Sequence, residues 1–416
     1  MRRNNLKETG KSSEKSIQKN KSARMSITMN NTTRCSGNCC YCMAASNMDY
    51  TLLTEKQSVE ALEHIDDMMY AQWKFDPDAI EKTLTTDKRM MSADVWNIDT
   101  WGADPVTNFK CLKDLVECIK SIATKYNKKV HISTSTNGLP LMRDDITEWF
   151  MNNDVSIQLS HDGLGQKYRT GNFNPLDIPN VRKLMRAGKL LCINATLNGK
   201  NWSLFANMNY FNRYLKQIFP EVWNKQDYTE EEVKKALALY RRLYIKLNHI
   251  MDEDGSQFNF TGRVLDDYIE DWFKIWRKDM AGGCNYLEYM PYMRYIREQY
   301  RRGSDFKSNG NMCRAFQIGA IEKGDHMDST GRYCQCNLID ADHNVANPSN
   351  ENPEYCKDCK YKNSGECNMC GSVKKRSDKC EYYYRWNQFL SITRYNGGFN
   401  DYQPQRKQQK ADKQHS

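Results

Sequence analysis

The chain has 416 residues and a formal net charge of +9, with 39% hydrophobic and 27% charged residues. This length allows two or three domains with a sizeable core. No run of about 18 apolar residues occurs, so a membrane-spanning helix is not expected. The basic N-terminus lacks the apolar run of a secretory signal, and a cytoplasmic protein is expected.

The positive charge lies at the two ends of the chain. Residues 1–24 hold eight basic residues against two acidic ones, and residues 403–416 hold four against one. The segment between these two tails is therefore neutral overall. A groove that follows nucleic-acid phosphates should show its excess charge in the folded body. Disordered, solvated tails are the favoured interpretation, and nucleic-acid binding is the less favoured alternative.

Strands and amphipathic helices alternate along residues 25–250. Strands are predicted at 26–29, 95–98, 130–134, 154–160 and 190–197, with a weaker sixth one at 217–222. Helices are predicted behind a capping box at 54–57 and then at 112–122, 144–152, 178–187, 202–213 and 229–250. Repeated strand–helix units favour an α/β fold, a parallel sheet with helices outside. Cofactor chemistry is then expected at the carboxyl ends of the strands.

The remaining third divides by composition. Residues 251–312 are predicted to form bridging helices, whose aromatic residues (Trp272, Trp276 and the tyrosines between 286 and 300) are interpreted as core packing. Residues 313–385 are rich in cysteine and are predicted to form a small separate domain. Residues 386–416 are predicted as a C-terminal helix and a basic tail.

The loop after the first strand places Cys35, Cys39 and Cys42 at C-x3-C-x2-C spacing. Sixteen cysteines in a long chain without a secretory signal more often bind metal than form disulfides. Three thiolates on one loop can hold three irons of a [4Fe–4S] cube and leave the fourth iron open. A zinc site, or plain core cysteines, are the alternatives.

This loop, with Tyr41 just before its last cysteine, resembles the signature of the radical S-adenosylmethionine (SAM) enzymes. The resemblance implies that the open iron binds the amino and carboxylate groups of SAM. It also implies that electron transfer cleaves SAM to a 5′-deoxyadenosyl radical, which abstracts hydrogen from a substrate.

Two further stretches are similar to SAM-contacting motifs of that family. Residues 101–105, with Gly102, Ala103 and Asp104, resemble a Gly-Gly-Glu-Pro motif that grips the SAM amino group, with Ala for Gly and Asp for Glu. Residues 160–163 resemble a Ser-x-Asp-Gly stretch. By that resemblance Ser160 contacts the SAM ribose and Arg169 the SAM carboxylate, and no role is assigned to His161.

The C-terminal third is similar to the SPASM extension of radical SAM maturases, which houses two auxiliary [4Fe–4S] clusters. One cluster would use Cys356, Cys359, Cys367 and Cys380. The other would use Cys313, Cys336 and Cys370, with Cys334 as candidate fourth ligand. The alternative is a pair of zinc sites, since two C-x2-C pairs are equally typical of zinc. The other five cysteines are interpreted as core thiols: Cys40, Cys111, Cys118, Cys192 and Cys284.

The predicted architecture is a partial (β/α)6 barrel at 25–250, a helical bridge and a cysteine-rich C-terminal domain. The resemblance is strongest to anaerobic sulfatase-maturating enzymes and peptide maturases. It implies SAM and three [4Fe–4S] clusters as cofactors, a peptide or protein substrate, and a flavodoxin- or ferredoxin-type reductant. Radical modification of a nucleotide or base, and a non-enzymatic metal-binding interaction module, are the alternatives.

Overall fold

The computed structural model describes residues 24–32, 35–37, 39–40, 59–71, 75–249, 255–309, 326–327, 333–334 and 378–395. The strands are β1 (Arg24–Thr32), β2 (Val95–Gly102), β3 (Lys129–Thr136), β4 (Val155–Ser160), β5 (Leu190–Leu197), β6 (Tyr244–His249), β7 (His326–Met327) and β8 (Tyr333–Cys334). The helices are α1 (Val59–Ala71), α2 (Pro77–Thr86), α3 (Lys88–Ser92), α4 (Phe109–Lys125), α5 (Asp144–Asn152), α6 (Lys167–Thr170), α7 (Pro179–Arg186), α8 (Leu204–Ile218), α9 (Pro220–Trp223), α10 (Glu230–Tyr240), α11 (Gly262–Met280), α12 (Met290–Asn309) and α13 (Asp378–Tyr395).

The six strands β1 to β6 lie side by side in chain order and are parallel throughout. They curl into a half-barrel, with helices outside. Helix α4 shows why the helices pack there: its residues Leu112, Leu115, Val116 and Ile119 recur on one face and are buried. The predicted partial (β/α)6 barrel is therefore confirmed.

The two faces of the half-barrel differ in chemistry. The convex face is lined by buried aliphatic residues that pack under the helices, among them Ile98, Ile132, Ile157, Ile193 and Ile245. Because side chains alternate along a strand, the intervening residues point to the concave face. A parallel sheet covered on both faces would be apolar on both. Here the concave face is polar instead.

The sixth strand is not where the sequence predicted it. Residues 217–222 form the end of α8 and the start of α9, with Pro220 at the first turn of α9. A proline there has no N–H to lose and a suitable φ. The sixth strand is β6, in a segment that was predicted as the end of a helix. The capping box at Thr229 starts α10 as expected, but that helix ends at Tyr240.

A short hairpin extends the sheet beyond β1. Strand β7 pairs in parallel with β1, where His326 lies opposite Thr28. Strand β8 pairs antiparallel with β7, where Cys334 lies opposite His326. No pattern in the sequence predicted this pairing. It brings the backbone of the predicted cysteine-rich segment next to the strand that leads into the cysteine loop.

Helices α11, α12 and α13 share a buried cluster of aromatic rings. Trp272 and Trp386 meet edge to face with centroids 4.8 Å apart, and Phe273 meets Phe389 in the same way at 4.9 Å. His249 at the end of β6 lies 5.4 Å from the ring of Trp386. The interpretation of this aromatic stripe as core packing is confirmed for Trp272, Tyr292 and Tyr300, which are buried, and wrong for Tyr286, which is 67% exposed. No helix in the described ranges is long and apolar enough to cross a membrane.

Replacing Trp386 by Ala should lower the free energy of unfolding by about 3–5 kcal/mol, because it removes a fully buried ring at the centre of this cluster. Urea unfolding followed by far-ultraviolet circular dichroism measures the loss. Ile392→Ala on the same helix is the matched control, since Ile392 is 49% exposed and should cost little. Equal losses from the two changes would show that α13 does not dock in the cluster.

Candidate functional site

The cysteine loop leaves the carboxyl end of β1, at the edge of the sheet where parallel α/β folds bind ligands. Cys35 and Cys39 are half-buried, whereas Ser36 and Gly37 between them are buried. The backbone N–H of Cys40 donates to the carbonyl of Tyr168, N to O 2.9 Å. This bond ties the cysteine loop to the segment after β4. Tyr41 and Cys42 lie outside the described residues.

Asn137, the first residue after β3, contacts the cysteine loop directly. Its Nδ2 donates to Ser36 Oγ at 2.9 Å and lies 3.7 Å from Cys35 Sγ. The hydroxyl of Thr107 also donates to Ser36 Oγ, at 3.0 Å. The N–H of Gly37 donates to Cys35 Sγ at 3.2 Å. The sulfur of Cys35 therefore has two N–H donors directed at it, which suits an anionic thiolate ligand.

Asp104 lies just past β2, and its carboxylate is buried within the protein. One oxygen accepts from the N–H of Asn137 at 2.8 Å and from Thr136 Oγ1 at 3.2 Å, and the other from the N–H of Val106 at 3.1 Å. Burial raises the pKa of this carboxyl to about 6 against the effect of these hydrogen bonds. Gly102 beside it ends β2, opposite Thr32 of β1, and Ala103 is half-buried.

Arg169 and Asp162 form a bidentate ion pair next to the cysteine loop. Nε and one terminal nitrogen of Arg169 each lie 3.0 Å from a different carboxylate oxygen of Asp162, which is fully buried. Burial disfavours the arginine cation, but the charge of Asp162 and the nearby thiolates of Cys39 and Cys35 outweigh it and raise the pKa of Arg169. A fixed positive charge therefore stands close to two of the three predicted iron ligands.

Asp162 also holds the neighbouring strand. Its Oδ1 accepts from the backbone N–H of Thr196 in β5 at 2.9 Å, and Arg169 donates to the Thr196 hydroxyl at 3.2 Å. Ser160, the predicted ribose contact, is the half-buried last residue of β4. The ion pair thus fixes the edge of the sheet on which Ser160 lies.

His161 has the structural role of a buried neutral ring. Its Nδ1 accepts from the N–H of Gly163 at 3.0 Å, so the other nitrogen carries the proton and donates to Asn174 Oδ1 at 2.8 Å. Burial lowers the pKa of this imidazole to about 3. The ring also packs edge to face on Phe211.

A second polar network lies deeper on the concave face. Asp99 of β2 accepts from Ser133 of β3 at 2.8 Å and from Gln158 of β4 at 3.0 Å. The amide oxygen of Gln158 in turn accepts from Lys246 of β6 and Asn194 of β5, each at 3.2 Å. Burial raises the pKa of Asp99, opposed by the hydrogen bond from Ser133 and the charge of Lys246. This band can pair with polar groups in a shielded concavity.

The other predicted metal ligands are described in part or not at all. Cys334 ends β8 and Cys380 lies in α13, as backbone positions only. The remaining ones fall outside the described residues: Cys42, Cys313, Cys336, Cys356, Cys359, Cys367 and Cys370. Within the described ranges, no three His, Cys, Asp or Glu side chains form a group that could hold a metal ion.

Of the five cysteines interpreted as core thiols, four are buried or half-buried, and burial raises their pKa values. Cys40 is exposed, so that interpretation was wrong for this residue. It lies on the outer side of a loop whose buried positions are Ser36 and Gly37.

Sequence reasoning missed Ser36, Thr107, Asn137 and Asp162 as site residues. Asn137 was assigned no role, and Asp162 was identified only as part of the Ser-x-Asp-Gly stretch. The local signal that could have found Asn137 is its position: a polar residue directly after a central strand lies at the binding edge of the sheet.

The buried histidine predicts a specific acid sensitivity. The folded protein keeps His161 neutral down to about pH 3, whereas the unfolded chain takes up the proton below about pH 6.5. Stability is therefore full above pH 6.5 and falls on acidification, by about 2 kcal/mol at pH 5 for this one group.

His161→Gln should remove that part of the loss, so unfolding free energies measured at pH 7 and pH 5 should differ less than in the wild type. His131→Gln, which removes an exposed imidazole from β3, is the control for losing one histidine. An unchanged difference in His161→Gln would show that His161 is protonated in the folded protein.

Comparisons with known proteins place the fold. No family model matches the sequence, and no curated protein matches it. Among solved structures, "Native anSMEcpe with bound AdoMet" matches with a TM-score of 0.51 and 13% identity, over 89% of this chain and 98% of that one. "Native anSMEcpe with bound AdoMet and Kp18Cys peptide" matches with a TM-score of 0.50 and 14% identity, over 90% of this chain and 98% of that one. The described half-barrel thus has the fold of anSMEcpe, an anaerobic sulfatase-maturating enzyme.

Proposed function

We propose that this protein is a radical SAM enzyme that modifies a carbon atom of a peptide or protein, by oxidation or cross-linking. The observation that carries the proposal is the position of Cys35 and Cys39. They lie half-buried at the carboxyl end of the half-barrel, beside the half-buried cation of Arg169. The same edge of the sheet brings together Gly102, Asp104 and Ser160, which come from different segments of the sequence.

The residues present suit an iron–sulfur cluster. Cys35, Cys39 and Cys42 would hold it, and the N–H donors on Cys35 Sγ stabilise a thiolate. With SAM bound, such a cluster supplies a 5′-deoxyadenosyl radical that removes a hydrogen atom from the substrate. The protein itself would bind and orient SAM and the substrate and limit the access of water to them.

The SAM-binding proposal assigns the remaining predicted residues to this edge. Arg169 offers a positive charge to the SAM carboxylate, and Ser160 at the end of β4 is proposed for the ribose. Gly102, Ala103 and Asp104 are proposed near the SAM amino group, and Tyr41 next to the last cysteine. The hydrogen bonds that Asp104 already receives mean that its contact with an amino group would add to an existing set rather than satisfy an empty carboxylate.

The eight C-terminal cysteines are proposed to hold two auxiliary [4Fe–4S] clusters, three clusters in all. The β7–β8 hairpin supports this arrangement, because it sets the backbone of Cys334 two strands from β1. Adjacent strands are about 4.8 Å apart, so Cys334 lies roughly 10 Å from β1. Cys334 is proposed as fourth ligand of the cluster that Cys313, Cys336 and Cys370 bind. A flavodoxin- or ferredoxin-type protein is the proposed electron donor.

The concave face supports a polar substrate. Asp99, Gln158 and Lys246 offer both hydrogen-bond donors and acceptors deeper in the half-barrel than the cysteine loop. Main-chain amides and polar side chains of a peptide match that mixture. One solved structure of the same fold is recorded with a bound peptide, which agrees with this substrate class.

Replacing Cys35, Cys39 and Cys42 together by Ala should abolish reductive formation of 5′-deoxyadenosine from SAM. Iron in the anaerobically reconstituted protein should fall from roughly twelve to roughly eight per chain, since the auxiliary clusters stay. Cys40→Ala is the matched control, because this exposed cysteine lies in the same loop. Undiminished 5′-deoxyadenosine from the triple variant would end the assignment of the loop.

Removing Arg169 alone confounds two effects, because it leaves the buried charge of Asp162 unpaired, at a cost of about 3–5 kcal/mol in stability. The double variant Arg169→Gln with Asp162→Asn removes both charges and should regain most of that stability. Its affinity for SAM should still be roughly ten- to a hundredfold weaker than wild type, for want of a charge-assisted hydrogen bond.

Titration of SAM into reconstituted protein measures that affinity. The control is the double variant Arg186→Gln with Glu221→Gln, which removes an arginine–glutamate pair far along the chain from the cysteine loop. Wild-type affinity for SAM in the Arg169 double variant would mean that Arg169 pairs with Asp162 and does not bind SAM.

A further inference from the structure

Asn137 is held in one orientation by bonds on every side of its residue. Its backbone N–H donates to Asp104 Oδ2, and its side-chain oxygen accepts from the N–H of Leu139 at 2.9 Å. The oxygen also lies 3.4 Å from Ser36 Oγ, and the side-chain nitrogen faces the cysteine loop. It lies there 2.9 Å from Ser36 Oγ and 3.7 Å from Cys35 Sγ.

The turn that follows Asn137 cannot easily move. Gly138 has a φ of +90°, which favours glycine, and a Cβ at this position would meet Pro175 at 2.6 Å. On the other side, a Cβ on Gly37 would come within 3.1 Å of Asn137 Nδ2 and 3.4 Å of Cys35 Sγ. A side chain at position 37 would therefore require Asn137 to shift by a few tenths of an ångström.

Asp104 fixes this arrangement from the neighbouring strand. Its carboxylate is 1% exposed and bonds to Asn137, Thr136 and Val106, so it joins the loops after β2 and β3. Asp104 thus connects to Cys35 through Asn137.

We propose that Asn137, held by Asp104, is a positioning residue for the cluster ligand Cys35, and that its amide N–H bond to the sulfur raises the reduction potential of the SAM-binding cluster. This inference rests on the proposed function. A donor directed at a ligand sulfur stabilises the reduced, more negative form of an iron–sulfur cluster. The bond from Gly37 N–H acts in the same direction, but its donor belongs to the loop itself and cannot be removed by a side-chain change.

The test is Asn137→Ser in the full-length, anaerobically reconstituted protein. A serine hydroxyl can still accept from the N–H two residues on and so keep the turn, but it is too short to reach Cys35. The readout is the midpoint potential of the cluster whose electron paramagnetic resonance signal changes on adding SAM. It should be lower than in the wild type, with iron content unchanged.

Asn180→Ser is the matched control. Asn180 also anchors a loop with its amide, donating to the carbonyl of Leu141 and to Asp144 Oδ1, and none of the described cysteine-loop residues (35–37 and 39–40) bonds to it. Its potential should equal that of the wild type. A wild-type potential in Asn137→Ser with full iron content would overturn the proposal.

A second variant, Asn137→Asp, is used in case Asn137→Ser binds too little iron for its potential to be measured. Asn137→Asp keeps the shape and the acceptor for Leu139 and replaces the donor by an oxygen, so its potential should also fall. Selective loss of roughly four of twelve irons in either variant, with normal circular dichroism, supports the positioning role. Unfolding of both variants while Asn180→Ser stays folded overturns it, since a turn-forming role would then explain Asn137. A wild-type protein without any SAM-responsive signal would contradict the proposed function instead.

Discussion

The ion pair between Arg169 and Asp162 is the constraint on which the carboxyl edge of this half-barrel depends. A fully buried carboxylate is costly unless a cation and hydrogen bonds compensate it. Arg169 supplies both in bidentate geometry, and the N–H of Thr196 supplies one more bond. The same short segment bonds the cysteine loop through the carbonyl of Tyr168. One buried charge therefore connects β4, β5 and the loop after β1.

The half-barrel combines an apolar face and a polar face, whereas an ordinary parallel sheet that is covered on both sides is apolar on both. Its convex face must be apolar to bury the helices, and isoleucines from five strands meet that demand. Its concave face is left free for polar residues, because the barrel is incomplete and no side-chain layers have to fill it. Asp99, Gln158 and Lys246 remain hydrogen-bonded to one another there, which avoids the cost of unpaired buried groups. The incomplete barrel is therefore what permits a polar concave face.

The sequence carries most of the fold, because strand–helix alternation is a local, periodic signal. The prediction from the sequence was wrong at the sixth strand. The apolar residues around Pro220 suggest a strand, but the proline is also compatible with the first turn of a helix, and the packed structure has a helix there. The alternation of Leu243, Ile245 and Leu247 marks β6 correctly, but it directly follows a helical period and was absorbed into it.

The sequence predicted the candidate cluster ligands of the site, but not the supporting residues that hydrogen-bond to them and position them. Three cysteines at close spacing are visible along the chain, as is a glycine-containing turn after a strand. The bond from Asn137 to Cys35 joins residues 102 apart, and that from Thr107 to Ser36 joins residues 71 apart. The one local signal for such an asparagine is its place directly after a central strand, which does not tell which loop the asparagine contacts. Supports of this kind follow from strand order, which fixes which loops are neighbours.

The β7–β8 hairpin has a consequence for how the chain folds. Strand β1 obtains its second neighbour from residues about 300 positions later, so one side of the strand that leads into the cysteine loop stays uncovered until the C-terminal third has been synthesised. An uncovered edge strand is a template for pairing with other chains. Contacts of such long range form late and slowly, and a chain folding as it is made would hold its half-barrel with that edge open. The hairpin from the C-terminal third thus pairs with the outer side of β1 at Thr28 and Met29 and moves the edge of the sheet to β8.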